Sequence, residues 1–336
     1  MIHRGTPAKI TVVQLGDLNR PETENAIGLA NLIQRAFQFH MYERKFPIRG
    51  ARYRLPNGGF DLDTAVAAIL KREQVPMPVV FLTSIPYSDR SRGHEEGEYY
   101  FGEFALGSNT SVNVVSTHLW SSLPGVRRLQ PYLLLSFSTI ALSLWGELEV
   151  HDETRGCVFD YCDDPIDIDR VLADAALCSD CRGHLNAALK AGQLNLSQWA
   201  AALRLLNRAA GVKQAFVVMP FRRDLDSAYT TIRTALEQSG WRVIRGDQIA
   251  HPRTITHAIV TAILSSDLVV AELTGSNPNV FYEVGFAHAA GCDVIMLTQE
   301  DRIPFDVTVE RAVKYKRTKK GLAALKRQLR DLAGLT

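Results

Sequence analysis

The sequence predicts an α/β protein: a doubly wound parallel sheet in the C-terminal part, preceded by an α+β domain and a helical connector. Three observations carry this prediction. From residue 214 onward, short apolar runs alternate with stretches of helical length and spacing, the signature of strand–helix–strand units. Before residue 183 the order of strands and helices is irregular, with a hairpin pattern and one long apolar helix. Finally, 336 residues suffice for two domains, each burying its own core. The expected divisions are 1–182, a helical connector at 183–210, and 211–336.

Lys9–Leu15 reads as a first strand and Glu22–Phe39 as a helix. The stretch Met41–Pro56 is basic and aromatic and reads as a solvated strand pair. Asp61–Lys71 follows as a helix and Met77–Ile85 as a buried strand. Tyr99–Leu106 and Val112–Trp120 form a predicted hairpin around Gly107–Ser111, and Leu129–Leu148 a buried helix. The most apolar run, Pro131–Trp145, is too short and too rich in serine to cross a bilayer. The 38 Lys and Arg against 36 Asp and Glu give no electrostatic case for nucleic acid or membrane as partner. The N-terminus lacks a basic-then-apolar signal pattern, which implies a cytoplasmic protein.

In that compartment clustered cysteines point to metal before disulfide. Cys157, Cys162, Cys178 and Cys181 are arranged as C-x4-C and C-x2-C, two short clips that supply four thiolates for a closed tetrahedral zinc site. His151 and His184 lie nearby as alternative ligands. The opening strand and helix, the hairpin before a long helix and this cysteine pattern together resemble the archaemetzincins. That resemblance implies a zincin-like fold with a structural zinc. The family's HExxH motif is absent: the segment before Cys157 reads Trp145-Gly-Glu-Leu-Glu-Val-His151, and His94-Glu95 has no second histidine at the required spacing. Without two imidazoles one helical turn apart there is no catalytic zinc, so no peptidase activity is expected.

Two helices, Leu185–Ala191 and Leu196–Ala210, lead to Gly211. The strands beyond it are Gln214–Met219, Trp241–Arg245, Leu268–Leu273 and Asp293–Thr298, with a further one near Ala312–Tyr315. The helices are Asp224–Gln238, Thr254–Ser265, Pro278–Ala290 and Lys319–Leu332. In such sheets ligands bind beyond the carboxyl ends of the strands, where the strand order reverses. Those ends carry Met219, Pro220, Phe221 and Arg222, then Asp247, then Glu272. Asn277 caps the helix that follows, Pro278 suits its first position, and Glu283 leans over Asn279. Ser276, Asn277, Asn279 and Tyr282 therefore join 219–222 as expected substrate contacts.

FVVMPF, RGDQI, AELTGSNPNVFYEVGFAHA and DVIMLTQ, in that order between Ala215 and Gln299, resemble the nucleoside 2-deoxyribosyltransferase-like superfamily, which includes deoxynucleotide N-glycosidases and is related to TIR-type NAD-cleaving domains. The resemblance implies a flavodoxin-like fold and cleavage of an N-glycosidic bond. Glu283 would act on C1′ as nucleophile or cation stabiliser, with Glu272 and Asp247 lining the site. Met219-Pro220-Phe221 departs from the glycine-rich loop of classical members. The implied substrate is NAD or a (deoxy)nucleotide, and the implied assembly is a homo-oligomer. The N-terminal half would then regulate or target the enzyme, or receive a regulatory protein, as in a defence effector. The alternative is a non-catalytic nucleotide-binding sensor. Glu283 at a helix N-terminus is expected to titrate low.

Overall fold

The computed structural model describes residues 6–18, 20–48, 51–88, 102–106, 109–118, 129–152, 154–162, 164–249, 255–289, 292–301 and 312–334. The chain forms two compact units, Gly5–Ala210 and Gly211–Thr336.

The first unit opens with β1 (Ala8–Leu15), α1 (Arg20–Ile33), β2 (Phe37–Met41), β3 (Phe60–Asp61), α2 (Leu62–Arg72), β4 (Val79–Thr83) and β5 (Tyr87–Ser88). It continues with β6 (Gly102–Leu106), β7 (Asn109–Ser116), α3 (Leu129–Gly146), α4 (Pro165–Asp174), α5 (Ser179–Ala191) and α6 (Leu196–Ala209). Its main sheet has the order β2-β1-β4-β7-β6, with β6 antiparallel to β7 and the remaining pairs parallel. Ile10 and Val12 of β1 belong to the core beneath α1 and α3, whereas Val13 and Leu15 face the core under α2. The pleat thus divides one apolar run between two cores.

Helix α3 is buried on nearly every side. Two of its hydroxyl groups are satisfied within the core: Ser138 donates to the Ala202 carbonyl of α6 at 2.8 Å and Thr139 to the Leu135 carbonyl at 3.1 Å. That is how serines and threonines are tolerated in so apolar a helix. Leu185 and Ala188 of α5 and Leu205 and Leu206 of α6 are members of the same core. The stretch 183–210, set apart in the sequence as a connector, is part of the first unit because it buries these side chains there. Among the described residues no helix is long and apolar enough to cross a membrane.

The expected helix Glu22–Phe39 stops early. Buried Gln34 bonds both to the Phe37 amide at 2.8 Å and to the Phe37 carbonyl at 3.0 Å, turning the chain, and Phe37 and Phe39 then alternate with exposed Gln38 as a strand. The basic stretch after Met41 is mostly loop, with one 3-10 turn at Ala51–Tyr53. In it Arg44 is chelated by Glu73 at 2.8 and 2.9 Å and Arg52 stacks on Tyr53. Helix α4 was not anticipated; Asp164 caps it and Pro165 opens it. The outer ends of the predicted hairpin, including Tyr99–Phe101 and 119–120, lie outside the described residues.

The second unit comprises β8 (Lys213–Val218), α7 (Asp226–Glu237), β9 (Trp241–Arg245), α8 (Ile255–Ser265), β10 (Leu268–Glu272), α9 (Pro278–Ala289), β11 (Asp293–Thr298), β12 (Val313–Lys314) and α10 (Lys319–Ala333). Its sheet is parallel throughout, in the order β12-β11-β10-β8-β9. This is the doubly wound, flavodoxin-like arrangement. α7 and α10 cover one face and α8 and α9 the other. The strand order reverses between β8 and β10, so the carboxyl ends of these two strands flank the place where such sheets take ligands.

Candidate functional site

A cavity of about 460 Å³ opens at that reversal point. Its floor is the end of β8 and the segment after it, Phe216 to Phe221; Ile259 and Ile263 of α8 form one wall. Asn277 and the first three turns of α9 supply the other wall, the helix through Asn279, Tyr282, Glu283 and Phe286. Asn277 accepts from the Asn279 amide at 2.9 Å, so the helix start is fixed by its own cap. Before it, Gly275 (φ +86°) and Ser276 (φ +50°) are both left-handed, and this tight reversal sends the chain from β10 directly into α9.

Glu283 is the one carboxylate that lines the cavity among the described residues. Burial pushes its carboxyl up to about 7. The expectation that it titrates low is therefore overturned: removal from water outweighs the favourable helix-end field, which is small once the group lies more than a turn inside the helix. Near neutral pH Glu283 can hold or release a proton. Phe221 and Tyr282 stand at the rim, each 66% exposed, a large apolar area to leave in water. Arg245 lies 5.7 Å from the Phe221 ring centroid and 3.9 Å from that of Tyr229.

Met219, Pro220, Phe221, Asn277, Asn279 and Tyr282 thus line the cavity, as their sequence positions suggested, together with Glu283. Four other candidates do not. Asp247 is clamped by Arg245 at 2.5 and 2.8 Å, and this guanidinium holds its carboxyl below the usual carboxylate range. Such a group does not donate a proton. Glu272 is fully buried beside Tyr315 and accepts from the Thr274 amide at 2.9 Å. As the last residue of β10 it shares parity with Leu268 and Val270, which face α7 and α10. Arg222 is exposed and paired with Asp224, and Ser276 serves the turn. Sequence reasoning missed the apolar wall of α8, whose pattern reads simply as core.

In the first unit, His151, Cys157, Cys178 and Cys181 bring one ligand atom each within 4.8 Å of the others. Cys162 is not in this set. His151 takes its place because the chain around it pairs with 159–161: its amide donates to the Phe159 carbonyl at 2.9 Å and its carbonyl accepts from the Tyr161 amide at 3.0 Å. The Nδ1 atom lies 3.1 Å from buried Asp160, which orients the ring so that Nε2 is 3.6 Å from the Cys178 sulfur. Cys157 and Cys181 sulfurs are 3.7 Å apart, close to the roughly 3.8 Å that two 2.3 Å metal–sulfur bonds at the tetrahedral angle require. Backbone amides of Cys178, Phe159 and Cys181 point at cluster sulfurs, the kind of outer contact that favours thiolate. This donor set fits a metal ion. The exposed His184 is not part of it.

No family model and no curated protein matches the chain. Solved structures do. Archaemetzincin from Methanopyrus kandleri is 16% identical, covers 56% of this chain and 99% of its own, and superposes with a TM-score of 0.37. A CMP N-glycosidase from Clostridium botulinum is 23% identical over 34% of this chain and 99% of its own, with a TM-score of 0.30. A 2-deoxyribosyltransferase from Leishmania mexicana is 15% identical over 34% of this chain and 97% of its own, with a TM-score of 0.28.

Proposed function

We propose that the second unit is an N-glycosidase acting on a nucleotide-type substrate whose base leaves without being protonated, as the cationic nicotinamide of NAD does. The observation that carries this reading is Glu283: a half-buried carboxylate in a cavity at the reversal of strand order, one turn beyond Asn279 and next to an exposed Tyr282. In its ionised form Glu283 faces C1′ and stabilises the positive charge that builds on the sugar as the C–N bond breaks. The bond electrons leave with the base. Water adds its oxygen to C1′ and gives its proton to solvent. Asn277 and Asn279 bind sugar hydroxyls, and Tyr282 and Phe221 stack on the base.

A neutral base needs an acid to protonate it, whereas a cationic one does not; Asp247 is clamped by Arg245 and Glu272 lies on the α7/α10 side of the sheet, which supports a cationic leaving group. Chromatography of protein incubated with NAD and, separately, with mixed deoxynucleotides tests the proposal. Nicotinamide should appear from NAD. Free base from the deoxynucleotides alone would reject the cationic leaving group, and no product from either would reject the glycosidase.

For the first unit we propose a structural zinc held by His151, Cys157, Cys178 and Cys181. Four protein ligands leave no open position for substrate or water, so the ion's contribution is to stability. Metal analysis of purified protein should find about one zinc per chain.

A further inference from the structure

Glu272 is the buried titratable group that the proposed reaction leaves unused, and its surroundings assign it a task. Its carboxyl accepts from the Thr274 amide at 2.9 Å, and the Tyr315 hydroxyl lies against it. Tyr315 in turn accepts from the Gln299 side chain at 2.9 Å, and the Gln299 amide donates to the Thr274 hydroxyl at 3.0 Å. One residue further, the Gly275 amide donates to Glu300 at 2.9 Å. The turn Thr274–Ser276 is thereby tied at consecutive residues to the ends of β10, β11 and β12. It needs such ties, because it holds non-glycine Ser276 at φ +50° beside Gly275 at +86°, a geometry that persists only where neighbours enforce it. The turn leads directly into Asn277 and α9, which carry the polar wall of the cavity.

We propose that Glu272 is a positioning residue: from the opposite face of the sheet its carboxyl braces the Thr274–Ser276 turn and so sets where α9 holds Glu283. The placement of Glu283 in catalysis rests on the glycosidase reading above; the bracing of the turn does not. Displacing a reacting group by a fraction of its contact distance costs rate more than binding. Glu272→Gln keeps an acceptor for the Thr274 amide and fits the same space, so it should preserve the brace, whereas Glu272→Ala removes it.

The test combines hydrogen exchange of the peptide covering 273–283 with steady-state kinetics on the full-length protein. Glu272→Ala should speed exchange at the turn and lower kcat by about 10- to 100-fold with KM little changed, while Glu272→Gln should restore both to within about threefold. A Glu272→Gln variant as slow as Glu272→Ala, with exchange as in the wild type, would overturn the proposal and make Glu272 a proton donor. So would a Glu272→Ala variant unchanged in both readouts. If Glu272→Ala does not fold, Thr274→Val removes the hydroxyl that ties the turn to Gln299. It should move exchange and kcat in the same direction, and no movement in either would overturn the brace. Accelerated exchange in a protein whose wild type turns over no substrate would support the brace and remove the glycosidase reading.

Discussion

The Cys/His cluster and the cavity beside α9 are both built on short local segments, yet one is closed and the other open. In the cluster every donor points at the other donors, all within 4.8 Å, and Asp160 and backbone amides complete the shell behind them. At the cavity one carboxylate among the described residues, Glu283, faces about 460 Å³ of space, with two aromatic rings exposed at the rim. Donors that converge on one another suit a structural ion, whereas a partly buried carboxylate that faces a void is the arrangement expected where stability is given up for reactivity. The contrast also separates Glu283 from Glu272. Glu272 is fully buried and Glu283 half-buried on adjoining elements, and of the two Glu283 faces the empty volume.

The sharpest way to break this contrast is at the cluster. Removing one thiolate with Cys181→Ser should release the metal and destabilise the first unit by several kcal/mol, about the loss of a structural metal site. Cys162→Ser should leave metal content and melting unchanged, because its sulfur lies outside the ligand set. Equal loss of zinc from both variants would restore the four-cysteine arrangement.

The smaller effect is at the cavity and has the opposite sign. Glu283 has its carboxyl raised from 4.5 to about 7 by burial, so the folded state binds its proton more tightly than the unfolded chain. The folded state is then penalised as pH rises from the unfolded value through the folded one. Above that window Glu283→Gln should stabilise the protein, by on the order of 1–3 kcal/mol, and at pH 4 the gain should vanish. Thermal melts of the two proteins at pH 4 and pH 8 would check it. A variant less stable than wild type at pH 8 would mean that the carboxylate is a structural partner.

Much of this was legible in the sequence where short-range pattern governs. The alternation from Gln214 onward placed five strands, and the Asn277-Pro278 start placed α9 with Glu283 in the crevice. What it did not reveal depends on which face or which neighbour a side chain meets. Glu272 reads as a strand-end acid, and only the register of β10 turns it to the α7/α10 side. Asp247 looks equally available until Arg245 is seen to clamp it. Cys162 and His151 compete for one ligand position, and the pairing of 151 with 159–161 decides it. The missed strand Phe37–Met41 was hidden because Phe37 also continues the helical spacing of Ala30 and Ile33.

The proposed reaction depends on the ionised form of Glu283. The direct measurement is kcat against pH for the wild type and for Glu283→Gln, on whichever substrate the chromatography identifies. The wild-type rate should rise through about pH 7, following the carboxylate, and the variant should be at least about 10²-fold slower at pH 8. A wild-type rate that falls through that range would make Glu283 an acid rather than a cation stabiliser. A variant with full activity would show that the carboxylate takes no part in the reaction.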